Sequence, residues 1–529
     1  MVSPRSLLCT LLPLASCVLA ATYDDWRQRT IYQVMTDRFA LADESYPACD
    51  PAAAEYCGGT WRGLEKHLDY IQGMGFDAIW ISPVAKNIDG HTDDGQGYHG
   101  YWTQDLFSLN RHFGTAEDLH SLISAAHKRD MYVMADVVVN HMAAKADNIA
   151  SLQADSFSSF APLSTNDSFH PLCWVSDYTN QTEVEQCWLG KDANGSVALL
   201  DINTGHHKTM LQLYDWVGQF ISNYTFDGMR IDRMKHVQKD FWPGFAKAAG
   251  TFELGEVRSE NISYVANYTD SMDGVLDYPT FFAVRDAFSS TKGNLSAIAE
   301  VTNTSRHTYQ GNEFLTGAFV ENHDYPRMLN LTQDKALVKN ALAFNFIHDG
   351  IPILYQGQEQ GYSGGDSPAN HEALWFSRYD TRNDMYRTIA AMNKARKQAM
   401  NAGKHFLVTA MDFIKQEQPG VMAVSKPPLL TLLTNAGSGG AAAWDVPDVY
   451  KPNTELVDVL TCRTYNAGAK GEVKISSTGG MPHVLIPSAD LAHDGGLCTT
   501  EANAAPRRAG TPLGATLGFL LGFVGFMLL

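Results

Sequence analysis

The sequence predicts an α/β protein: a (β/α)8 barrel, a small domain inserted after the third strand, and a C-terminal antiparallel β-sandwich. Three observations predict it. Between residues 30 and 400, short apolar runs alternate with amphipathic stretches, the pattern of a parallel sheet covered on both faces. Some eight such units over that length suit a closed barrel better than an open sheet. After residue 402 the runs shorten to VMAVSK, LLTLLTN, LVDVLTC and HVLIP between Gly- and Pro-bearing turns, which reads as antiparallel β structure.

Taken in order, residues 1–20 form a secretory signal: Arg5 precedes LLCTLLPLASCVLA, which ends in small residues before ATYDDW. Residues 21–141 supply the first part of the barrel through TIYQVMTDRF, FDAIWISPV and MYVMADVVVNH, with AEDLHSLISAAHKRD as a helix between the last two. Residues 142–200 are polar and loop-rich and carry Cys173, Cys187 and the sequons at Asn166, Asn180 and Asn194; these are the inserted domain. Residues 201–401 complete the barrel through the helical HKTMLQLYDWVGQFISNY and the runs FDGMRIDRM, FELGEV, GAFVENHD and GIPILYQGQE. Residues 402–498 are the C-terminal β domain.

Residues 499–529 have the layout of a glycosylphosphatidylinositol (GPI) attachment signal. An uncharged apolar tail at 512–529 follows a spacer with Arg507 and Arg508, and a small-residue cluster places attachment at Asn503. A transmembrane helix of marginal length is the competing reading. The expected location is therefore secreted and GPI-anchored, at the plasma membrane or cell wall, with the lipid as the only membrane contact.

Cys9 and Cys17 leave with the signal. The six that remain pair by closeness in sequence as Cys49–Cys57, Cys173–Cys187 and Cys462–Cys498, and none has zinc-finger spacing. A net charge of −18 argues against a nucleic-acid partner. The chain is expected to act as a monomer.

Within the apolar runs, the apolar part comes first and polar residues collect at the C-terminal end: Asp136, Asn140 and His141; Arg230 and Asp232; Glu256; Glu321 to Asp324. In a barrel those ends converge on the face that carries active sites. The densest is DGMRIDRMKHV, which crowds Arg230, Asp232, Arg233, Lys235 and His236 where an apolar strand stops.

These blocks carry a resemblance. DVVVNH (136–141), LLDINT (199–204), GMRIDRMKHV (228–237), GEV (255–257) and FVENHD (319–324), with YHGYW, VEQCWLG and GIPILYQGQEQ, resemble the fungal α-amylases of glycoside hydrolase family 13, the Taka-amylase type, in the family's order. The resemblance covers residues 22 to 498. It implies Asp232 as nucleophile, Glu256 as general acid/base and Asp324 as the carboxylate that stabilises the transition state. Retaining chemistry needs one ionised carboxylate to attack and one protonated to release the leaving oxygen, about 5–5.5 Å apart. Arg230 beside Asp232 is expected to depress its pKa, and neighbouring carboxylates to raise that of Glu256.

The resemblance further implies that His99, Tyr101, Trp102, His141, Arg230, Lys235, His236 and His323 bind sugar. It implies a structural Ca2+ held by Asn140, Glu185, Asp201 and the carbonyl of His236, an all-oxygen set that suits that ion.

The sequence departs from the family at Ser367 and His371, where Asp and Arg are typical of the donor side. Arg258 stands where an apolar residue is typical of the acceptor side, and Arg233 where Thr is typical. A further family disulfide is absent, with no cysteine between Glu256 and Asp324. The expected function is retaining hydrolysis of internal α-1,4 bonds in starch, maltooligosaccharides or cell-wall α-glucan. A 4-α-glucanotransferase, which the GPI signal favours by resemblance, is the alternative, and an inactive α-glucan-binding surface protein a second. If the tail directs a lipid anchor, a phosphatidylinositol-specific phospholipase releases the protein from intact cells; retention on the membrane after treatment would count against it.

Overall fold

The computed structural model of the chain describes residues 21–145, 154–190, 197–491 and 497–498. The expected signal peptide, Asn194, Asn503 and the apolar tail lie outside the described residues. Among the described residues, no helix is long and apolar enough to cross a membrane.

Eight parallel strands form the barrel: β1 (Ile31–Val34), β2 (Ala78–Ile81), β3 (Tyr132–Val137), β4 (Gly228–Ile231), β5 (Phe252–Gly255), β6 (Gly274–Val275), β7 (Gly317–Ala318) and β8 (Ile351–Tyr355). Successive strands pair through β6, β7 pairs with β8, and β8 returns to β1. A parallel bridge from Leu276 to Gly317 joins β6 to β7 and closes the ring. The period-2 pleat divides the apolar residues into two cores. Ile31, Trp80, Met134, Phe252, Leu254, Leu276, Phe319 and Ile353 fill the barrel. Ile79, Val133, Ala135, Met229 and Ile231 face out against the helices.

The helices show their own period. Thr115 and Asp118 form a capping box on Ala116–His127, which buries Leu119, Leu122, Ile123 and Ala126. His207–Tyr224 buries Leu213, Trp216, Val217, Phe220 and Ile221 and ends at Thr225 in the left-handed region.

The sequence displays seven of the eight strands as apolar runs. β6 is only two residues long and lies within SMDGVLDYP, too short to register as a run. Its Gly274 is required by packing, since a Cβ there would lie 2.2 Å from the Leu315 carbonyl oxygen.

After β3, strands His141–Lys145, Leu189–Gly190 and Val197–Asp201 make a three-stranded antiparallel sheet. This sheet includes His141 and Asp201, one residue beyond each expected bound of the inserted segment. Beyond the barrel, six antiparallel strands run in the order Asp412–Ile414, Val421–Lys426, Leu429–Thr434, His483–Pro487, Glu455–Asp458, Thr464–Asn466. A second sheet of Ala441–Val446 and Val473–Thr478 packs on them, with Trp444 and Val446 sharing a core with Leu430, Leu432 and Leu485.

This domain is tied to the barrel through Asn340, on helix Lys335–Ile347. Its side chain donates to Gly480 O and accepts from Thr434 N, both at 2.8 Å. Disulfides join Cys49 to Cys57, Cys173 to Cys187 and Cys462 to Cys498.

Candidate active site

The site begins with strand parity. Residues two apart on a strand face the same way, so Arg230 and Asp232 both point into the barrel mouth, as do Leu254 and Glu256. The ladder continues one residue past β4 and β5: Asp232 N donates to Val137 O, and Glu256 N donates to Ile231 O, each at 2.9 Å. Gly255 precedes Glu256, and a Cβ there would meet Met234 Sδ at 2.3 Å, so a larger residue would displace that side chain.

Arg230 is the hub, with only 1% of its surface exposed. Its cross-strand register partner is Asp136, which accepts from Nη1 at 2.9 Å. The same Nη1 donates to Asp232 Oδ1 at 2.9 Å, and Nη2 lies 2.8 Å from Glu256 Oε2. Asp136 is held further by Trp80 Nε1 at 2.9 Å and the Tyr101 hydroxyl at 2.8 Å. Glu256 accepts from the Arg233 amide at 2.9 Å and from the Tyr278 hydroxyl at 3.0 Å. Tyr278 in turn accepts from Asn322 Nδ2 at 3.2 Å.

Asp324 sits in the loop after β7, shaped by Asn322, whose Oδ1 accepts from the amides of Asp324 and Tyr325. Its side chain is 32% exposed, with His323 Nε2 at 3.7 Å. His323 Nδ1 takes a hydrogen bond from Gln33 Nε2 at 2.8 Å. The Tyr101 ring stacks on His323, with centroids 5.2 Å apart, and His99 lies on its other side at 5.8 Å. His141 Nε2 is 3.0 Å from Tyr101 O.

Two cavities open from this centre, and Asp232, Arg233 and Asp324 line both. The larger, about 400 Å³, is walled by Tyr178, Lys235, His236, Glu256 and Arg258. The smaller, about 170 Å³, is walled by His99, Tyr101, Trp102, His141, His323, Ser367 and His371. They are two lobes of one cleft that meet at the carboxylates. All eleven residues expected to attack, protonate, stabilise or bind sugar lie in or directly behind it. In the smaller lobe His371 has both ring nitrogens engaged, one with the Tyr98 hydroxyl at 2.6 Å and one with His323 O at 2.8 Å. It serves as wall there, so the polar donor-side contacts expected to be weak at this position are not replaced by the histidine.

The protonation expected for the two central acids is reversed in this arrangement. Burial, which Arg230 only partly offsets and the charge of Glu256 reinforces, pushes Asp232 up to about 7. Glu256 is also penalised by burial, but Arg230 and the Arg233 amide outweigh it and bring the group down to about 2. The sequence reading gave Arg230 to Asp232 alone, whereas the guanidinium divides between three carboxylates. Tyr278 was missed because the strand before it is β6. Asn322 stood within a noted polar block but shows no role until its loop is folded.

The expected calcium ligands can be tested for fit. Asn140 Oδ1 faces only acceptors, lying 3.0 Å from His236 O and 3.3 Å from Asp201 Oδ1; exchanging its amide atoms would turn both into hydrogen bonds. Either the amide is turned, or a cation belongs among three converging oxygens, and an oxygen-only set of this kind suits Ca2+. Asp201 Oδ2 is held by His170 Nδ1 at 2.6 Å. Glu185 stands beside the group, held by Gln181 at 2.7 Å, and its charge acts on buried Asp201. Asn140, Asp201 and the His236 carbonyl fit the ion, while Glu185 is engaged by Gln181.

A barrel with three carboxylates converging on a sugar-sized cleft at the C-terminal ends of its strands defines a glycoside hydrolase. The family profile described as alpha amylase, catalytic domain, matches residues 33–418, and alpha-amylase, domain C, matches 416–506. The chain belongs to the α-amylase family. It is 41% identical over 488 residues to alpha-amylase 1 of Lipomyces kononenkoae, covering 91% of this chain and 77% of that one. It is 39% identical to alpha-amylase 2 of Schwanniomyces occidentalis, covering 89% and 92%. Among solved structures, an alpha-amylase from Malbranchea cinnamomea matches with a TM-score of 0.86 at 42% identity, over 90% of this chain and 100% of that one. An acarbose complex of the Geobacillus thermoleovorans alpha-amylase matches at 0.73 and 29%, over 87% and 98%.

The raised Asp232 pKa has a consequence for stability. The folded state holds this proton more tightly than the unfolded chain, so its contribution is full below the ordinary value of 3.8 and is lost as pH rises to about 7. Asp232→Asn abolishes that loss. The wild type is expected to lose more stability than the variant between pH 4 and pH 8, on top of any pH-independent effect of taking a carboxylate from Arg230. Thermal unfolding at both pH values measures it, and a gap independent of pH would refute the assignment.

Proposed function

We propose that this protein is a retaining, endo-acting α-amylase that cleaves internal α-1,4 bonds of starch-like α-glucans. The observation that carries the reading is the pairing of Asp232 and Glu256 on one buried guanidinium, with Asp324 facing the same two-lobed cleft. Asp232 attacks the anomeric carbon of the sugar in the smaller lobe. Glu256 gives a proton to the leaving oxygen, whose chain departs through the larger lobe. The glycosyl ester on Asp232 is then opened by water, from which Glu256 takes a proton. Asp232 Oδ2 is buried and accepts no hydrogen bond among the described residues, which suits it to the attack.

The first step needs the proton on Glu256, whereas the empty cleft favours it on Asp232. Entry of the glycosidic oxygen between Glu256 and Arg230 Nη2 would weaken the contact that keeps Glu256 ionised and so shift the proton across. His99 and His141 are neutral, each pushed down to about 3 chiefly by burial, and act as hydrogen-bonding groups for sugar hydroxyls.

Asn140, Glu185, Asp201 and the His236 carbonyl would hold Ca2+. The ion would neutralise the buried oxygens and pin the inserted segment against the strand end that carries Asp232, with no part in the bond-breaking steps. The three disulfides support passage through a secretory route, and the GPI anchor at Asn503 belongs to the same proposal.

With maltoheptaose as substrate, products shorter than the substrate are expected. Longer products would instead establish transfer to a sugar acceptor, and no turnover with calcium present would sink the enzyme reading. Asp232→Asn should lower kcat by at least about 10³-fold with the fold intact. Chelation should lower the unfolding temperature and added Ca2+ restore it; a melting curve insensitive to both would remove the metal.

A further inference from the structure

The larger lobe gathers three cations in a protein whose net charge is −18, two of them without an ion-pair partner among the described residues. Arg233, Lys235 and Arg258 all line it. Each is held by its own contact. Arg233 adopts a left-handed backbone (φ 50°) that its amide bond to Glu256 fixes, and its side chain is 41% exposed. Lys235 Nζ donates to Arg258 O at 2.9 Å and lies 5.6 Å from the Tyr178 ring. Arg258 donates through Nε to the Tyr325 hydroxyl at 2.7 Å and lies over that ring at 4.6 Å.

Asp232, Glu256 and Asp324 line the lobe as well, and Asp324 acts on Arg258 through space without a salt bridge to it. Asp232 and Glu256 are already bound by Arg230. Arg233 reaches Asp232 only through Nε, at 3.7 Å. Lys235 and Arg258 form no salt bridge among the described residues, and the side-chain hydrogen bond of Arg258 runs from Nε to Tyr325. Tyr178, 59% exposed at the lip, offers a flat apolar face beside them. Hydrogen-bonding partners such as Lys235 and an aromatic platform serve a neutral glucan here, and two further cations beside them add charge-assisted donors for an anion.

We propose that the larger lobe accepts a glucan residue bearing an anionic group, a phosphate monoester or a carboxylate, with the sugar ring on Tyr178 and the anion between Lys235, Arg258 and Arg233. This rests on the reading of the lobe as the acceptor side of an α-glucan cleft. It assigns a substrate class to the two arginines that the sequence comparison leaves without one.

The test is binding to the full-length Asp232→Asn protein, which reads the site without turnover. Three maltooligosaccharides of equal length are compared by calorimetry: neutral, carrying a 6-phosphate near the reducing end, and carrying a glucuronate there. At low ionic strength an anionic ligand is expected to bind about tenfold or more tightly than the neutral one, and the advantage should shrink in 0.5 M salt. Preference for the phosphate alone would identify a dianion as the ligand, and equal preference would identify any single charge. Adding Arg233→Thr and Arg258→Gln should bring the anionic-to-neutral ratio close to one. Equal binding of all three ligands, or a ratio unmoved by the two substitutions, overturns the proposal. Because turnover is not read, absence of hydrolysis by the wild-type protein would count against the amylase reading alone.

Discussion

Everything at the catalytic face depends on one buried cation. Arg230 occupies a barrel-interior position that an aliphatic side chain would otherwise fill, and its burial is tolerated only because three carboxylates surround it. Asp136 comes from β3, Asp232 from the end of β4 and Glu256 from the end of β5, so the guanidinium joins three adjacent strands where their ladder stops. Removing the guanidinium would leave carboxylates uncompensated in a low-dielectric site, at a cost of several kcal/mol, whereas removing one carboxylate leaves two to hold it. The same contacts set the acidity of Asp232 and Glu256. Structure and proton placement are therefore one problem here.

Around that cation the fold adds positioning from a distance. Tyr278, at the start of the helix after β6, orients Glu256, and Asn322 orients both Tyr278 and the loop of Asp324. Asn370 holds this loop from outside by donating to the carbonyls of His323 and Tyr325. On the opposite side, Asn140, Asp201 and the His236 carbonyl converge where the inserted sheet meets the turn after Asp232. The cleft is thus framed by two polar clusters, one on the β7 loop and one at the root of the insertion. Each fixes backbone that carries an acid or a sugar-facing histidine.

The departures from the family divide between the lobes in opposite ways. In the smaller lobe His371 turns its polar atoms to Tyr98 and His323 O, which leaves that wall poor in free donors. In the larger lobe Arg233 and Arg258 add positive charge beside Asp232, Glu256 and Asp324.

Much of the fold was legible because strand and helix periods are local. Seven barrel strands, the amphipathic helices and the C-terminal β domain follow from side-chain alternation and turn residues alone. The candidate acids were legible because each closes an apolar run, and parity along a strand fixes the face that Asp232 shares with Arg230. What the sequence could not determine is how charge is divided once strands meet. Beside Asp232 in the chain, Arg230 reads as its partner; in the barrel the guanidinium also reaches Glu256 and Asp136, and burial then reverses the order of the two pKa values. β6, Tyr278 and the double reach of Arg233 belong to the tertiary structure for the same reason. Each depends on distances between segments far apart in sequence, and desolvation has no counterpart in a linear pattern of residues.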